Sequence, residues 1–231
     1  MQQLTVSDGT TMGAYVARPS GKPNGAGILV FQEAFGVNEH IRDVAQRFAA
    51  LGFTALAPDL FHRTAVGFQG SYGDFEAVRP HVSALRTPDL EVDVRAAFEC
   101  LSTQDGVDPN RIASIGFCMG GRVSYIANAA VRLRAAVSFY GSIAPELLEL
   151  ADRQHGPLLM FWGGKDEHIV ADQYRAVADA LSQHAKVHEQ MVFSQADHGF
   201  FCDRRSAYEP GAARQAWALT QEFLRAFEVF S

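Results

Sequence analysis

The sequence feature that most constrains the fold is a cysteine in a glycine-rich turn. Cys118 lies in the segment GFCMGG, residues 116–121, directly after the apolar run Arg111–Ile115. A strand that enters such a turn and continues into a helix is typical of a nucleophile elbow, which more often carries serine. A thiolate is a strong nucleophile near neutral pH, and a helix N-terminus favours its charged form. The segment therefore predicts a strand–turn–helix unit and a covalent hydrolase.

Short apolar runs alternate with amphipathic stretches along the rest of the chain. Strands are predicted at residues 13–18, 27–31, 53–57, 111–117, 135–140, 158–162 and 187–193. Helices are predicted at residues 38–50, 89–101, 119–130, 170–183 and 207–230. This alternation predicts one α/β domain over residues 1–231, with a mostly parallel sheet covered on both faces, as in the α/β-hydrolase fold. The glycine-interrupted segment Phe61–Pro88 is typical of a lid or binding loop.

Composition excludes several classes of partner. The chain has 231 residues, a net charge of −6 and three cysteines. It contains no basic run that would suit nucleic acid, and its cysteine spacing fits neither a disulfide framework nor a zinc site. No signal-peptide pattern and no apolar stretch of about 20 residues is found. We therefore expect a cytoplasmic protein without metal or cofactor that acts on a small molecule; monomer and homodimer both stay open.

Three chemically active residues follow predicted strands in one chain order. Cys118 comes first, Asp166 follows the strand at 158–162, and His198 follows the strand at 187–193. Nucleophile, acid and histidine occur in this order in α/β-hydrolases. His198 would accept the thiol proton while Asp166 orients its ring. The amides of Met119 and of Ala34, which follows an earlier strand, are the expected oxyanion-hole donors.

Each of these residues also has a structural alternative. A lone cysteine is usually a small buried apolar group, which is the interpretation we favour for Cys100. Asp166 alone would serve equally well as a cap at a strand end. His184 and His188 have the spacing of metal ligands, but no third ligand accompanies them. Glu33 is either a carboxylate close to the elbow or a loop glutamate paired with an arginine.

These motifs resemble the dienelactone hydrolase family over nearly the whole chain. The matching segments are QEAFGVN at 32–38, APDL at 57–60, GFCMGG at 116–121, GGKD at 163–166 and HGF at 198–200. The resemblance implies a Cys118–Asp166–His198 triad. It also implies that Glu33 bonds the resting thiol and shifts when substrate arrives, helping to form the thiolate–imidazolium pair.

The substrate site departs from the family pattern. The resemblance implies two arginines for a carboxylated substrate: Arg79 is a weakly aligned match for one, and Cys202 occupies the position of the other. Arg204 and Arg205 are out of register, and we expect them to face solvent. An aromatic pocket and a small neutral ester are therefore predicted, with dienelactone itself as the alternative substrate. The residues assigned to the pocket wall are Phe35, Phe68, Tyr72, Phe200 and Phe201.

Other activities remain open from the sequence. Sulfur is a better leaving group from phosphorus than a serine oxygen, so a side activity on aryl phosphotriesters is expected. An alcohol or amine that intercepted the acyl-thioester would make the enzyme a transacylase. A non-catalytic fold that senses a ligand, or a redox sensor pairing Cys118 with Cys202, is the alternative outside hydrolysis.

Overall fold

The predicted alternation of strands and helices is present in the computed structural model, which describes residues 1–231. The strands are β1 (Gln2–Thr5), β2 (Thr11–Ala17), β3 (Gly27–Phe31), β4 (Thr54–Pro58), β5 (Ile112–Phe117), β6 (Ala135–Phe139), β7 (Leu158–Gly163) and β8 (His188–Phe193). The helices are α1 (Glu39–Ala50), α2 (Phe75–Ser83), α3 (Thr87–Ser102), α4 (Met119–Ala130), α5 (Ala171–Gln183) and α6 (Pro210–Ala226). Two short 3₁₀ helices occupy Pro109–Arg111 and Pro145–Ala151.

All eight strands form one sheet in the order β1-β2-β4-β3-β5-β6-β7-β8. β1 pairs with β2, and β2 with β4, in antiparallel fashion; every other pairing is parallel. The strands β3 to β7 are buried at every residue, as expected where helices cover both faces of a parallel sheet. The predicted mostly parallel α/β-hydrolase sheet is confirmed.

The direction of the crossovers determines where a site can form. The chain leaves β3 through α1 toward β4, whereas it leaves β5 through α4 toward β6 on the other side. Because parallel crossovers are right-handed, α1 lies on one face of the sheet and α3, α4 and α5 lie on the other. α6 joins α1, since Trp217 packs against Phe48 with ring centroids 4.9 Å apart. The carboxyl ends of β3 and β5 therefore flank a topological switch point, where ligands bind in such sheets.

Helix ends follow local capping chemistry. Asn38 caps α1, where its Oδ1 accepts a hydrogen bond from the amide of Ile41 at 3.3 Å. The last helix is shorter than the predicted 207–230, because Glu209 accepts hydrogen bonds from the Gly211 and Ala212 amides and Pro210 occupies the first turn. No helix is both long enough and apolar enough to cross a bilayer.

Candidate active site

The turn after β5 has the backbone geometry of a nucleophile elbow. Cys118 has φ 54° and ψ −117°, a strained conformation for a residue with a side chain. Glycines make the turn sterically possible: a Cβ on Gly116 would lie 1.9 Å from the Gly120 carbonyl oxygen, and one on Gly120 would lie 2.3 Å from that of Phe31. The strain directs the thiol outward from the end of the sheet, ahead of the first turn of α4.

Three side chains from three strand ends are hydrogen-bonded in series. His198 Nε2 lies 3.1 Å from Cys118 Sγ, and His198 Nδ1 lies 2.7 Å from Asp166 Oδ2. The other carboxylate oxygen of Asp166 accepts the amides of His168 and Ile169 at 2.8 and 3.1 Å. Every member therefore has a fixed orientation. We refer to Cys118, His198 and Asp166 as the Cys118 triad.

Within the Cys118 triad, the charged forms of His198 and Asp166 stabilise each other. Burial disfavours the imidazolium, yet the hydrogen bonds that His198 makes with Asp166 and Cys118 outweigh burial and raise the pKa of His198 to about 10. Burial likewise opposes ionisation of Asp166, but His198 and the two backbone amides leave the pKa of this carboxyl below its usual value. The arrangement favours an imidazolium between a carboxylate and a sulfur atom.

Both expected oxyanion donors border the thiol. Ala34 and Met119 line one cavity together with Cys118 and His198. Met119 is the first residue of α4, so its amide has no intrahelical acceptor. The amide of Ala34, in the loop after β3, likewise has no hydrogen-bond acceptor in the protein. Two free amides beside the thiol, one from the strained turn and one from the loop after β3, are the arrangement that stabilises a tetrahedral oxyanion.

The cavity in front of Cys118 is small, about 180 Å³. Sequence reasoning identified half of its lining and missed the other half, which is Val82, Arg122, Tyr140 and Ser142. Val82 belongs to α2, so the segment Phe61–Pro88 supplies one wall of the site. Arg122 could have been found from its spacing, since a residue four positions after the nucleophile lies on the same face of the following helix.

None of the predicted aromatic wall residues lines this cavity. Phe200 and Phe201 are 0% and 3% exposed and pack into the core against Phe139 and Phe117. Phe68 packs against His81 with ring centroids 4.5 Å apart and does not line the cavity.

Phe35 and Tyr72 pack on each other, with ring centroids 4.6 Å apart. Phe35 is 1% exposed. These side chains fill space between loops and helices. The aromatic pocket predicted for a neutral substrate is therefore not present in front of Cys118.

Cys202 also lies behind the cavity wall. It is fully buried, and its thiol donates a hydrogen bond to Tyr72 Oη at 3.2 Å. Burial and the nearby Glu33 raise the pKa of the Cys202 thiol to about 11.

The two arginines that follow Cys202 lie in different surroundings, one on the surface and one largely buried. Arg204 pairs with Glu39 on the surface, as expected, with a side chain 53% exposed. Arg205 does not face solvent: it is 13% exposed, and its Nη1 lies 3.1 Å from Glu33 Oε1. Although burial opposes its charge, the pKa of Arg205 is raised, chiefly by Glu33. Arg79, by contrast, is 74% exposed and approaches only Glu76, so it lies outside the cavity.

Glu33 therefore contacts an arginine in this structure, while the thiol contacts His198. The structure thus shows the arginine-paired alternative for Glu33 and not the resting contact with Cys118 that the family resemblance implies. The second carboxylate oxygen, Oε2, is buried without a hydrogen-bond partner. The carboxylate thus retains one free acceptor beside the nucleophile turn.

One group of side chains has the donor atoms of a metal site. Ligand atoms of Glu33, His40 and Cys202 lie within 4.8 Å of one another, and all three residues are buried. Both ring nitrogens of His40 lack a partner. However, Arg205 is already paired with Glu33, and its positive charge opposes a cation at the same carboxylate. We refer to Glu33, His40, Tyr72, Cys202 and Arg205 as the Glu33 cluster.

Comparison with known proteins identifies the relatives of this chain. The model of the dienelactone hydrolase family matches residues 12–228. The chain belongs to the dienelactone hydrolase family. A protein of Synechocystis, provisionally named a carboxymethylenebutenolidase, is 32% identical over 221 residues, which are 91% of this chain and 90% of that protein.

Solved structures of this family share the whole fold. A provisional dienelactone hydrolase of Klebsiella pneumoniae has a TM-score of 0.87 and 30% identity, covering 97% of both chains. A dienelactone hydrolase-like promiscuous phosphotriesterase from metagenomic libraries has a TM-score of 0.86 and 25% identity, covering 100% of this chain and 98% of its own. The prediction of an enzyme of the ester- and lactone-hydrolase type is confirmed at this level.

Proposed function

We propose that this member of the dienelactone hydrolase family cleaves small esters or lactones through an acyl-thioester on Cys118. The observation that carries the proposal is the hydrogen-bonded series from Cys118 Sγ through His198 to Asp166, at 3.1 and 2.7 Å. A base within hydrogen-bond reach of a nucleophile, itself held by a carboxylate, is the geometry that acyl transfer requires. The cavity of about 180 Å³ in front of Cys118 favours a small substrate.

The reaction proceeds in two balanced stages. With His198 held as the imidazolium, the Cys118 sulfur attacks the carbonyl carbon as a thiolate, and the amides of Met119 and Ala34 stabilise the oxyanion. Collapse of the intermediate breaks the ester bond, and the imidazolium returns its proton to the departing alkoxide. Water then attacks the thioester with His198 as base, which releases the acid and restores the thiol. Asp166 orients the ring throughout.

We assign Glu33 an auxiliary role in activating the thiol. It is fully buried beside the elbow, with one oxygen paired to Arg205 and the other free. A carboxylate that approached Cys118 would accept the thiol proton or favour the imidazolium electrostatically. The variant Glu33→Gln keeps the size of the side chain and removes this charge.

The test is a hydrolysis panel of small aryl esters, carboxylated enol lactones and aryl phosphotriesters. In Cys118→Ala, ester and lactone turnover should fall at least about 10³-fold. Substrate should protect the wild-type thiol from alkylation. Glu33→Gln should slow acylation by about 10- to 100-fold, and because it also leaves Arg205 without its anion, thermal unfolding of this variant is measured alongside. Full turnover by Cys118→Ala would contradict the proposal.

A second activity on phosphotriesters is favoured by the likeness to the metagenomic phosphotriesterase. Attack of the thiolate on phosphorus would expel the aryl alcohol and leave a phosphorus–sulfur bond that water can cleave. Multiple equivalents of aryl alcohol per enzyme are expected. A single equivalent followed by arrest would mean that the thiol is only phosphorylated.

The same panel separates the remaining alternatives. Hydrolysis of the carboxylated enol lactone in preference to the simple esters would favour dienelactone as the substrate. New esters formed in the presence of added alcohol would indicate transacylation. Ligand binding without turnover of any ester would indicate a non-catalytic sensor.

A further inference from the structure

The residues that line the cavity beside Cys118 include one arginine, Arg122. This residue lies in the first turn of α4, and its backbone amide donates to the Cys118 carbonyl at 3.3 Å. Arg122 lines the same cavity as Cys118 and His198. No carboxylate is present among the lining residues.

Arg122 differs from the other candidate arginines in having no partner. Arg79 approaches Glu76, Arg204 pairs with Glu39 and Arg205 with Glu33. The guanidinium of Arg122 makes no ion pair and no hydrogen bond within the protein. Arginine has five donors in a planar fork and no means of losing its charge at physiological pH. Five donors without a protein partner therefore belong to a residue that lines the cavity.

The partial burial of Arg122 has an energetic consequence. Burial lowers the pKa of this guanidinium, and the opposing influences of Cys118 and Glu146 do not restore it. A charge that has lost part of its hydration without gaining a counterion is destabilised in the free enzyme. A ligand that supplied two acceptor oxygens would replace the lost hydration with a bidentate pair.

From this we infer that Arg122 is a carboxylate subsite and that the preferred substrates are half-esters of short dicarboxylic acids. The inference rests on the proposed hydrolase function and replaces the neutral ester expected from the sequence. The positions from which arginines were expected, 79 and 202, do not reach the cavity. The anion would thus be bound from the helix that follows the nucleophile.

A matched substrate pair isolates this subsite. The probes are mono-4-nitrophenyl glutarate and 4-nitrophenyl pentanoate, which have equal acyl chains and the same leaving group. Rates are corrected for spontaneous hydrolysis, and the readout is the ratio of the two kcat/KM values. The wild type should prefer the glutarate.

Substitution of Arg122 should lower this ratio. Arg122→Gln is expected to lower it at least about 10-fold, mainly through KM for the glutarate, and Arg122→Lys should give a smaller loss because it retains charge without the fork. Arg79→Gln is the matched control and should change the ratio less than about 2-fold. Thermal unfolding of each variant checks the fold independently.

Three results would overturn the inference. They are a wild-type preference for the pentanoate, an unaltered ratio in Arg122→Gln, and a larger loss in Arg79→Gln. Equal slowing of both esters by Arg122→Gln, with slower alkylation of Cys118, would also overturn it, since Arg122 would then stabilise the thiolate. Failure of the proposed function is distinct, because the wild type would then hydrolyse neither ester.

Discussion

Two polar groups lie on either side of the loop after β3, and they differ in how completely their hydrogen bonds are made. In the Cys118 triad every side chain has a partner, and Asp166 uses both carboxylate oxygens. In the Glu33 cluster, Glu33 Oε2 and both ring nitrogens of His40 are buried without partners. The triad is thus preorganised, whereas the cluster retains unpaired polar atoms, among them a carboxylate oxygen of Glu33 that can still accept a hydrogen bond.

The largest effect is expected when the orienting carboxylate of the triad is removed. Asp166→Asn keeps the size of the side chain but removes the charge that holds the His198 ring. In serine proteases, the equivalent change lowers turnover about 10⁴-fold. We expect a loss of about 10³- to 10⁴-fold in kcat, measured on a 4-nitrophenyl ester.

The pH profile distinguishes this loss from simple unfolding. The pKa of His198 is raised to about 10, so its proton is available below that value and is lost as the pH rises through it. Cleavage of an alkyl ester needs this proton for the leaving group and should decline near pH 10, whereas a nitrophenyl ester does not need it. In Asp166→Asn the decline should begin at lower pH. A profile identical to that of the wild type would contradict the assigned role of Asp166.

The second largest effect is expected in the Glu33 cluster, and two adjacent arginines provide a matched comparison. Arg205→Gln leaves Glu33 buried without its cation, so we expect the free energy of unfolding to fall by about 3 kcal/mol. Arg204→Gln removes an exposed pair with Glu39 and should cost about 0.5 kcal/mol or less. Urea denaturation of both variants measures the difference. Equal stabilities would mean that the buried pair contributes no more than the surface pair.

The contrast between the two groups also explains what the sequence could predict. The triad residues follow β5, β7 and β8, and the ends of β5 and β7 are recognisable from apolar runs that lead into glycine-rich turns. The Glu33 cluster depends on the packing of the loop at 200–205 onto the loop after β3. Nothing in the local pattern distinguishes Arg205, which turns inward, from Arg204, which turns outward.

The sequence pattern also did not predict two elements of the fold, helix α2 and strand β1. α2 contains Pro80 and follows a glycine-rich stretch, so its pattern is that of a loop. β1 is a four-residue edge strand that is ordered by pairing with β2. Because α2 carries Val82 into the cavity, missing this helix also meant missing one wall of the site.

The smallest effect is expected at Cys202, on the edge of the Glu33 cluster. Its thiol is fully buried, and its pKa is raised to about 11, so little thiolate forms near neutral pH. Iodoacetamide at pH 8 should therefore modify Cys118 and spare Cys202, as read by peptide mass spectrometry. Cys202→Ser preserves the hydrogen bond to Tyr72 and should change ester turnover less than about 3-fold. Treatment with mild peroxide tests the opposite outcome. If the intact mass of the wild type fell by two protons, and that of Cys202→Ser did not, Cys118 and Cys202 would have formed a disulfide. The Glu33 cluster would then be part of a redox switch.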